Sequence, residues 1–395
     1  YYGSMKLAVD KDILGWQSRH PNITVEFDPV PGWTNEYFPK ISALVASKTL
    51  GDVVWFPPRH RNHIGWGFYY NIVTDLMPFI EAIDYDLGQF YPGVVESSTY
   101  EGKFYYMPLT SEPVVPVMAF NKTLVEKWGL PYPQNDWTFD ELIEFGMAGT
   151  REGVFGYHTG SQSMHPLAWG PGIRQLGGTW MSEDGRTFLP DSEEAVKWGL
   201  QYRHDLIYKY KTMPPPDPTF NTLDNFAAQK ILAYDAWPAH INHQMNRAKE
   251  GGYEVDFVNT VIDKKGVRRR SMLNEHVHGV TTFSKNPAEA FDFLAFISTE
   301  EVCVQNLLAG WGAPVGRPDL YDDGRAIKVY PGLALLKPIM ADIEPDFFVR
   351  NFRGDEVDKA FYDTCTLLAL DKLTVDECYD QVMTECQKVV DKEPA

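Results

Sequence analysis

Short apolar runs and helical apolar stripes alternate along the first part of the chain. Residues Ile23–Phe27 alternate apolar and polar positions, which predicts a strand. Apolar residues then recur at helical spacing across positions 38–45, and Val53–Phe56 is a short apolar run typical of a buried strand. The order strand, helix, strand predicts an α/β protein with mostly parallel sheets flanked by helices.

The remainder of the chain continues both patterns. Three apolar runs predict further strands, at Val114–Phe120, Ile231–Tyr234 and Val277–Phe283. Helix starts are predicted where a capping residue or a proline precedes an apolar stripe, at Thr138, Ser192, Pro287, Ser298 and Thr374. The last two helices are expected to form a hairpin that turns at about residues 371–372.

Composition narrows the class of protein. The chain has 395 residues, 44% of them hydrophobic and 23% charged, which fits a soluble globular protein with two domains of ordinary size. No apolar run approaches the roughly 20 residues needed to span a bilayer. The formal net charge of −18 is opposite in sign to that of a duplex-binding surface, so we expect no nucleic-acid partner.

Aromatic residues are abundant and many lie in loop-like contexts. The chain contains 11 Trp, 21 Tyr and 23 Phe, together 14% of its residues. Several tryptophans adjoin glycine, proline or polar residues, among them Trp33, Trp66, Trp169, Trp237 and Trp311. Flat rings in such places suit the apolar C–H faces of sugars, although a core position would also accommodate each of them.

Catalytic signatures are absent from the sequence. We find no phosphate-binding loop, no HExxH helix, no GxSxG elbow and no GxGxxG fingerprint. The pairs His240/His243 and His276/His278 have too few ligands on their own to define a zinc site, so no metal or cofactor is predicted. Carboxylates such as Glu112 and Asp235 end strand-like segments, which leaves a glycoside-processing enzyme as an alternative.

Several segments, taken in order, resemble the family 1 sugar-binding branch of the extracellular solute-binding proteins of ABC importers. Each is short, and their shared order carries the resemblance rather than any one alone. The segments are HPNITV at 20–25, GDVV at 51–54, GKFYYMP at 102–108, FNK at 120–122, WTFDEL at 137–142, FAAQKILA at 226–233 and SKN with AFDFL from 284 to 294.

The resemblance implies a two-lobed periplasmic-binding-protein fold of type II, with the ligand cleft at the hinge. One lobe would comprise residues 1–112 and 276–315, and the other residues 113–275 and 316–395. The implied function is to bind a sugar or oligosaccharide and deliver it to the membrane subunits of an ABC importer. A non-sugar cargo such as a peptide or polyamine is an alternative on the same fold.

The same resemblance implies an extracytoplasmic monomer, either periplasmic or anchored to the cell surface by a lipid. The sequence starts at Tyr1, without Met or a signal peptide, which fits a mature or trimmed chain. In such a compartment Cys365 and Cys378, on facing helices of the C-terminal hairpin, could form a disulfide. The alternative is that both are small buried apolar side chains.

Nine residues are candidates for ligand binding. The tryptophans follow predicted strands or lie between glycines, where a ring can face a cleft and the backbone can approach a ligand. The polar candidates carry the forked donors and amides that bind sugar hydroxyls in pairs. They are Trp33, Arg59, His60, Asn62, Glu112, Trp169, Trp237, Trp311 and Arg350.

Overall fold

The computed structural model describes residues 2–29, 37–56, 62–114, 117–135, 137–159, 176, 178, 181–189, 192–217, 219–259, 273–309, 316–343, 345 and 353–392. The chain divides into two compact units, each assembled from two separate segments. The first unit comprises Tyr1–Glu112 and Leu273–Phe352, and the second comprises Pro113–Met272 and Arg353–Ala395.

The first unit places helices around a small sheet. Its helices are α1 (Tyr2–Gln17), α2 (Tyr37–Ala46), α3 (Asn62–Tyr69), α4 (Met77–Ala82), α5 (Pro92–Ser97), α11 (Pro287–Ile297), α12 (Glu300–Leu308), α13 (Gly324–Val329) and α14 (Leu333–Met340), with 3-10 turns at Leu87–Gln89 and Pro318–Tyr321. Its strands are β1 (Val53–Phe56), β2 (Thr99–Tyr100), β3 (Lys103–Phe104), β4 (Met107–Pro113) and β9 (Leu273–Val280).

Strand β9 is the central strand of the first unit. The three-stranded sheet has the order β1-β9-β4, and β1 pairs antiparallel with β9 so that Phe56 faces Val277. The core on this sheet includes Ile41 from α2, Val54 and Phe56, all under 5% exposed. Each such buried apolar side chain contributes about 1.5–3 kcal/mol, so α2 is held to the sheet by burial.

The second unit has a larger sheet. Its helices are α6 (Lys122–Trp128), α7 (Phe139–Gly149), α8 (Glu193–Tyr208), α9 (Thr222–Ala227), α10 (Pro238–Gly251), α15 (Gly354–Ala369) and α16 (Val375–Val390). Its strands are β5 (Val117–Asn121), β6 (Phe155–His158), β7 (Ile231–Ala236) and β8 (Val255–Asn259), in the order β6-β7-β5-β8.

Helix α7 packs closely on strand β6 because glycines line the contact. A Cβ atom added to Gly156 would lie 1.7 Å from the carbonyl oxygen of Gly146, and one added to Gly149 would lie 2.2 Å from Leu232 Cδ2. The start of α7 is fixed by the predicted capping box, in which Thr138 and Glu141 exchange hydrogen bonds. Local sequence therefore determines both where this helix begins and how closely it packs.

Strand directions differ from the mostly parallel sheets that we predict from the sequence. Among the described strands, β6 and β7 are parallel, whereas β5 is antiparallel to both β7 and β8, and β1 is antiparallel to β9. Strands β5 and β9 each begin where the chain passes from one unit to the other.

Two local expectations are wrong. Residues 23–29 do not form a strand; the backbone N–H of Val25 instead donates to the side chain of Gln17, 3.0 Å away, and Phe27 is 45% exposed. Ser298 does not cap the following helix, which begins at Glu300 after Thr299. Its buried hydroxyl faces the carbonyl of Pro108, so a tertiary contact replaces the local one.

Residues 316–352 group with the first unit, whereas the family resemblance predicts them in the second. The backbone N–H of Tyr91 donates to the carbonyl of Gly316 at 2.9 Å, and the rings of Tyr91 and Tyr321 meet edge to face. Arg317 donates to the backbone oxygen of Ser298 and pairs with Asp319. These buried contacts attach the segment to elements of the first unit.

Candidate functional site

A polar group of side chains lies at one end of the first unit's sheet. Because Phe56 pairs with Val277, the first residues of β9 extend past the last residue of β1. Asn274, Glu275 and His276 therefore lie beyond that strand end, beside Ser111 and Glu112 of β4. All five are at most 7% exposed. We call these five residues the acid–amide end.

Hydrogen bonds connect the two strands at the acid–amide end. The amide of Asn274 donates to Glu112 Oε1 at 3.1 Å, and the hydroxyl of Ser111 donates to Glu275 Oε1 at 3.1 Å. Bonds to a charged acceptor are stronger than neutral ones and are costly to break when buried. The two carboxylates are thus held in fixed orientations.

An aromatic stack adjoins this end. The Trp55 ring stacks on His276 with centroids 5.5 Å apart and planes 9° apart, and the Tyr37 hydroxyl donates to the backbone oxygen of Trp55. Burial lowers the pKa of His276 to about 3 and that of His278 to about 4. Both imidazoles are therefore neutral near pH 7 and each offers one donor and one acceptor nitrogen.

Strand ends also converge in the second unit. Val117 of β5 pairs with Ala236 of β7 and with Asn259 of β8, so these three residues lie at one level of the sheet. His158, the last residue of β6, pairs with Tyr234 two residues earlier on β7. We call this group of strand ends, with Thr159, Asp235 and Trp237, the tryptophan end.

Trp237 occupies the turn between β7 and helix α10. Strand β7 ends at Ala236, and Pro238 takes the first position of the helix, where its fixed φ suits the helical backbone. The backbone N–H of Trp237 donates to Nδ1 of His240 at 3.3 Å, which holds the residue in position. Trp237 is partly exposed and lies two positions after buried Asp235 in the chain.

His240 keeps its acceptor nitrogen because its ring stays neutral. Burial, together with nearby His243, lowers the pKa of His240 to about 3. A protonated ring would carry a hydrogen on Nδ1 and could not accept from the Trp237 backbone. The position of Trp237 is therefore insensitive to pH across the physiological range.

A buried arginine supports the end of β6. The guanidinium of Arg203 donates to the hydroxyl of Thr159, and both residues are at most 7% exposed. Burial lowers the pKa of Arg203 to about 10, which leaves it charged at pH 7. His158 stacks on Phe220 with centroids 5.5 Å apart. This edge of the tryptophan end is held by packed polar and aromatic contacts.

Three of the nine predicted site residues fall within the described ranges. Glu112 belongs to the acid–amide end and Trp237 to the tryptophan end, while Asn62 begins helix α3 and its side chain is not described. The others lie outside the described residues: Trp33, Arg59, His60, Trp169, Trp311 and Arg350. Their roles stay predictions.

The structure adds polar residues that the sequence pattern did not single out as binding residues. Asn274 and Glu275 belong to β9, which begins at Leu273 rather than at Val277 as predicted. His158 ends strand β6 and Thr159 follows it, and the sequence pattern did not predict this strand. Two signals for strand β6 were available. The helix that starts at Phe139 precedes it in the chain, and strand β7 (Ile231–Ala236) pairs parallel with it.

No described group of three or more His, Cys, Asp or Glu side chains could hold a metal ion. The candidate pairs His240/His243 and His276/His278 accordingly gain no third ligand within the described ranges. Considered separately, the acid–amide end carries neutral imidazole and amide groups with carboxylates, and the tryptophan end carries a partly exposed tryptophan. None of the described helices has the length and apolar composition needed to cross a bilayer.

The chain belongs to the bacterial extracellular solute-binding protein family, whose model matches residues 2–302. The α/β, two-lobed fold class predicted from the sequence is confirmed by similarity to solved members of this class.

Three of the similar structures have a TM-score of 0.79. The ABC substrate-binding protein Lmo0181 from Listeria monocytogenes, solved with cycloalternan, is 18% identical, over 96% of this chain and 95% of that one. The GacH receptor of Streptomyces glaucescens, solved with acarbose, is 18% identical over 98% and 95%. UgpB from Mycobacterium tuberculosis, solved with glycerophosphocholine, is 14% identical over 98% and 95%.

Proposed function

We propose that this protein binds a sugar or oligosaccharide outside the cytoplasm and delivers it to an ABC importer without altering it chemically. The observation that carries the proposal is the partly exposed Trp237, fixed at a strand end beside Asp235. A flat ring supplies a surface for the C–H face of a sugar, and a nearby carboxylate accepts hydrogen bonds from its hydroxyls. Membership of the solute-binding family supports the transport role.

Comparison structures support sugars among the possible cargoes. Lmo0181 and GacH were solved with carbohydrates or a carbohydrate analogue. UgpB, equally similar in fold, was solved with glycerophosphocholine, which contains a quaternary ammonium group. A solute that carries an ammonium group is therefore the second candidate, favoured by the partly exposed Trp237 and by the net charge of −18.

A thermal-shift screen followed by calorimetry separates the candidates. The probes are maltotetraose, tagatose, spermidine and glycerophosphocholine, each tested at the same concentrations. A ligand present at 100 times its Kd stabilises the native protein by about 2.7 kcal/mol, so a true cargo raises the melting temperature in a concentration-dependent way. Binding of spermidine or of zwitterionic glycerophosphocholine with no response to any carbohydrate would replace the sugar proposal by that of an ammonium-bearing solute.

Chemical turnover is tested separately. Maltotetraose is incubated with the protein for a day and analysed by chromatography against a buffer blank. We expect the oligosaccharide to be recovered intact. Shorter products that scale with protein concentration would support the glycoside-processing alternative.

A further inference from the structure

The C-terminal helical hairpin of the second unit holds three of the chain's four cysteines. Helices α15 (Gly354–Ala369) and α16 (Val375–Val390) pack against each other, and α16 starts at the predicted capping box of Thr374 and Glu377. Cys365, Cys378 and Cys386 are each 0% exposed, and all are thiols in the structure. The fourth, Cys303, belongs to the first unit, with its sulfur near the carbonyl of Ile297.

Sulfur contacts define which cysteines lie opposite each other. Cys378 Sγ lies 4.0 Å from the carbonyl oxygen of Thr364, the neighbour of Cys365. Cys386 Sγ lies 3.7 Å from the carbonyl oxygen of Val357. Cys378 and Cys386 are eight residues apart on one helix, and Val357 and Cys365 are eight residues apart on the other. The hairpin is therefore in register, with Cys378 level with Cys365 and Cys386 level with Val357.

Only one pairing of these cysteines is compatible with that register. Eight residues of α-helix span about 12 Å, so Cys378 and Cys386 cannot both reach Cys365, and they cannot reach each other. A direct thiol contact between Cys365 and Cys378 contributes to a rise in the pKa of Cys365 well above its usual value, although burial is the larger cause. The two sulfurs thus face each other in a site from which water is excluded.

We propose that Cys365 and Cys378 are a site of oxidative modification and form a disulfide that joins α15 to α16. The modification rests on maturation in an oxidising extracytoplasmic compartment and does not depend on which solute the protein binds. The oxidant is a small-molecule or protein disulfide, and the reaction is thiol–disulfide exchange. Cys303 and Cys386 remain as thiols.

The thiol–disulfide exchange takes place in two steps, in which atoms and electrons balance. The thiolate of one cysteine attacks the oxidant disulfide, forms a mixed disulfide and releases one thiol. The thiolate of the second cysteine then attacks the protein-bound sulfur of that mixed disulfide and releases a second thiol. The two cysteine protons end on the two released thiols, so the cysteines are oxidised and the oxidant is reduced.

The burial of Cys365 and Cys378 determines when they can be oxidised. Both side chains are fully buried in the folded unit, so neither sulfur is accessible to an oxidant, and burial raises the pKa of the Cys365 thiol and disfavours its thiolate. We expect oxidation while the hairpin is still forming. Reduced native protein should accordingly stay reduced in oxidised glutathione, whereas the same protein refolded in oxidised glutathione should gain the bond.

Peptide mapping of the full chain tests the proposal directly. The protein is exported to an oxidising compartment, denatured in the presence of an alkylating agent without reductant, and analysed by mass spectrometry. We expect two alkylated thiols, at Cys303 and Cys386, and one linked peptide pair that contains Cys365 and Cys378. Four alkylated thiols, or a linked pair that includes Cys386, would overturn the proposal.

Matched variants supply a second measurement. Cys365→Ala and Cys378→Ala should each abolish the linked peptide and free one extra thiol, whereas Cys386→Ala, an equally buried site on α16, should retain the link. A bond of this kind stabilises a protein by about 2–4 kcal/mol, which is roughly a 30- to 1,000-fold change in the opening equilibrium. Protein refolded in the presence of reductant should therefore exchange amides in α16 faster, by a factor in that range, than protein refolded in oxidised glutathione, for both wild type and Cys386→Ala. Equal exchange in wild-type protein refolded with reductant and in oxidised glutathione would contradict the bond even if a variant failed to fold.

Discussion

The two units place polar residues at their sheet ends in different ways. At the acid–amide end of the first unit, Glu112 and Glu275 accept hydrogen bonds from neighbouring strands and are at most 6% exposed. At the tryptophan end of the second unit, Trp237 retains partial exposure because it lies in the turn before α10. The first arrangement holds a structure together, and the second presents a surface.

The first unit contains another buried pair of an amide and a carboxylate, separate from the acid–amide end. Asn306 donates to the carboxylate of Asp12 at 3.1 Å, and both side chains are buried. In the second unit the corresponding buried titratable groups include His158 and Arg203. Each unit buries both acids and bases, including His276 and Arg317 in the first unit and Asp235 in the second. The difference between the two sheet ends therefore lies in the exposure of Trp237, and it can be tested from the largest effect to the smallest.

The largest effect is expected from Trp237→Ala. Removing a stacking face should weaken sugar binding by about 2–4 kcal/mol, the usual range for a central aromatic contact, or roughly 30- to 1,000-fold in Kd. Trp237→Phe keeps a smaller face and should lose less. Calorimetry measures affinity and urea unfolding measures stability on the same samples.

Trp128→Ala is the matched control, because this partly exposed tryptophan of the second unit packs near Lys127 and Arg151 away from the strand ends. It should leave the affinity unchanged. A loss of stability in Trp237→Ala with unchanged affinity would assign Trp237 to the core and remove the contrast between the two sheet ends.

The next effect concerns Asp12→Asn. Burial raises the pKa of Asp12 from 3.8 to about 6, although the bond from Asn306 lowers it. Because the native pKa is raised, the ionised native state carries a penalty of up to about 3 kcal/mol above pH 6, and the penalty disappears as the pH falls below 3.8. The asparagine retains an oxygen acceptor for Asn306 and removes the charge.

We therefore expect Asp12→Asn to stabilise the protein by up to about 3 kcal/mol near pH 8 and to have little effect near pH 4. Urea unfolding at both values provides the measurement. A gain of the same size at both pH values would show that packing, rather than the buried charge, determines the effect at this position.

A smaller loss is expected from Asn274→Ala, which removes the donor to Glu112. Removing one partner of a buried hydrogen bond costs about 1–3 kcal/mol, so the urea midpoint should fall while sugar affinity in the folded fraction stays the same. Asn286→Ala, at an exposed position without a side-chain capping bond, should change stability by less than about 0.5 kcal/mol. A drop in affinity without a drop in stability would place Asn274 in the binding surface and make the two ends alike.

The smallest effect is a change in overall size. The family resemblance predicts a ligand held in a cleft between lobes, and such a ligand shifts the population toward closure. Small-angle scattering should then give a slightly smaller radius of gyration with saturating ligand than without it. An unchanged radius on a sample that calorimetry shows to be saturated would remove the clamp from the proposed mechanism.

Local signals in the sequence were sufficient for several elements. The capping boxes at Thr138 and Thr374 occur as predicted because both partners lie within one helical turn. The strand predicted at Ile23–Phe27 does not form, since an alternating pattern specifies a face but not a pairing partner. The Gln17 side chain supplies a hydrogen bond to Val25 instead.

The candidate site was less predictable for the same reason. Asn274 and Glu275 interrupt the apolar pattern of β9, and their partners Glu112 and Ser111 precede them by 162 and 164 residues. No local rule connects residues so far apart. Trp237 was predictable because the strand, the aromatic residue and the proline that starts α10 are adjacent in sequence.

The central position of β9 has a consequence for biosynthesis. The sheet of the first unit has the order β1-β9-β4, so β1 and β4 have no common partner until β9 is made. The ribosome synthesises all of residues 113–272 before it reaches that strand. The nascent chain therefore exposes two unpaired strands of an unfinished sheet while the segment that belongs to the other unit emerges. A protein destined for secretion gains from this order, because a translocation channel that accepts unfolded polypeptide has more time to engage it.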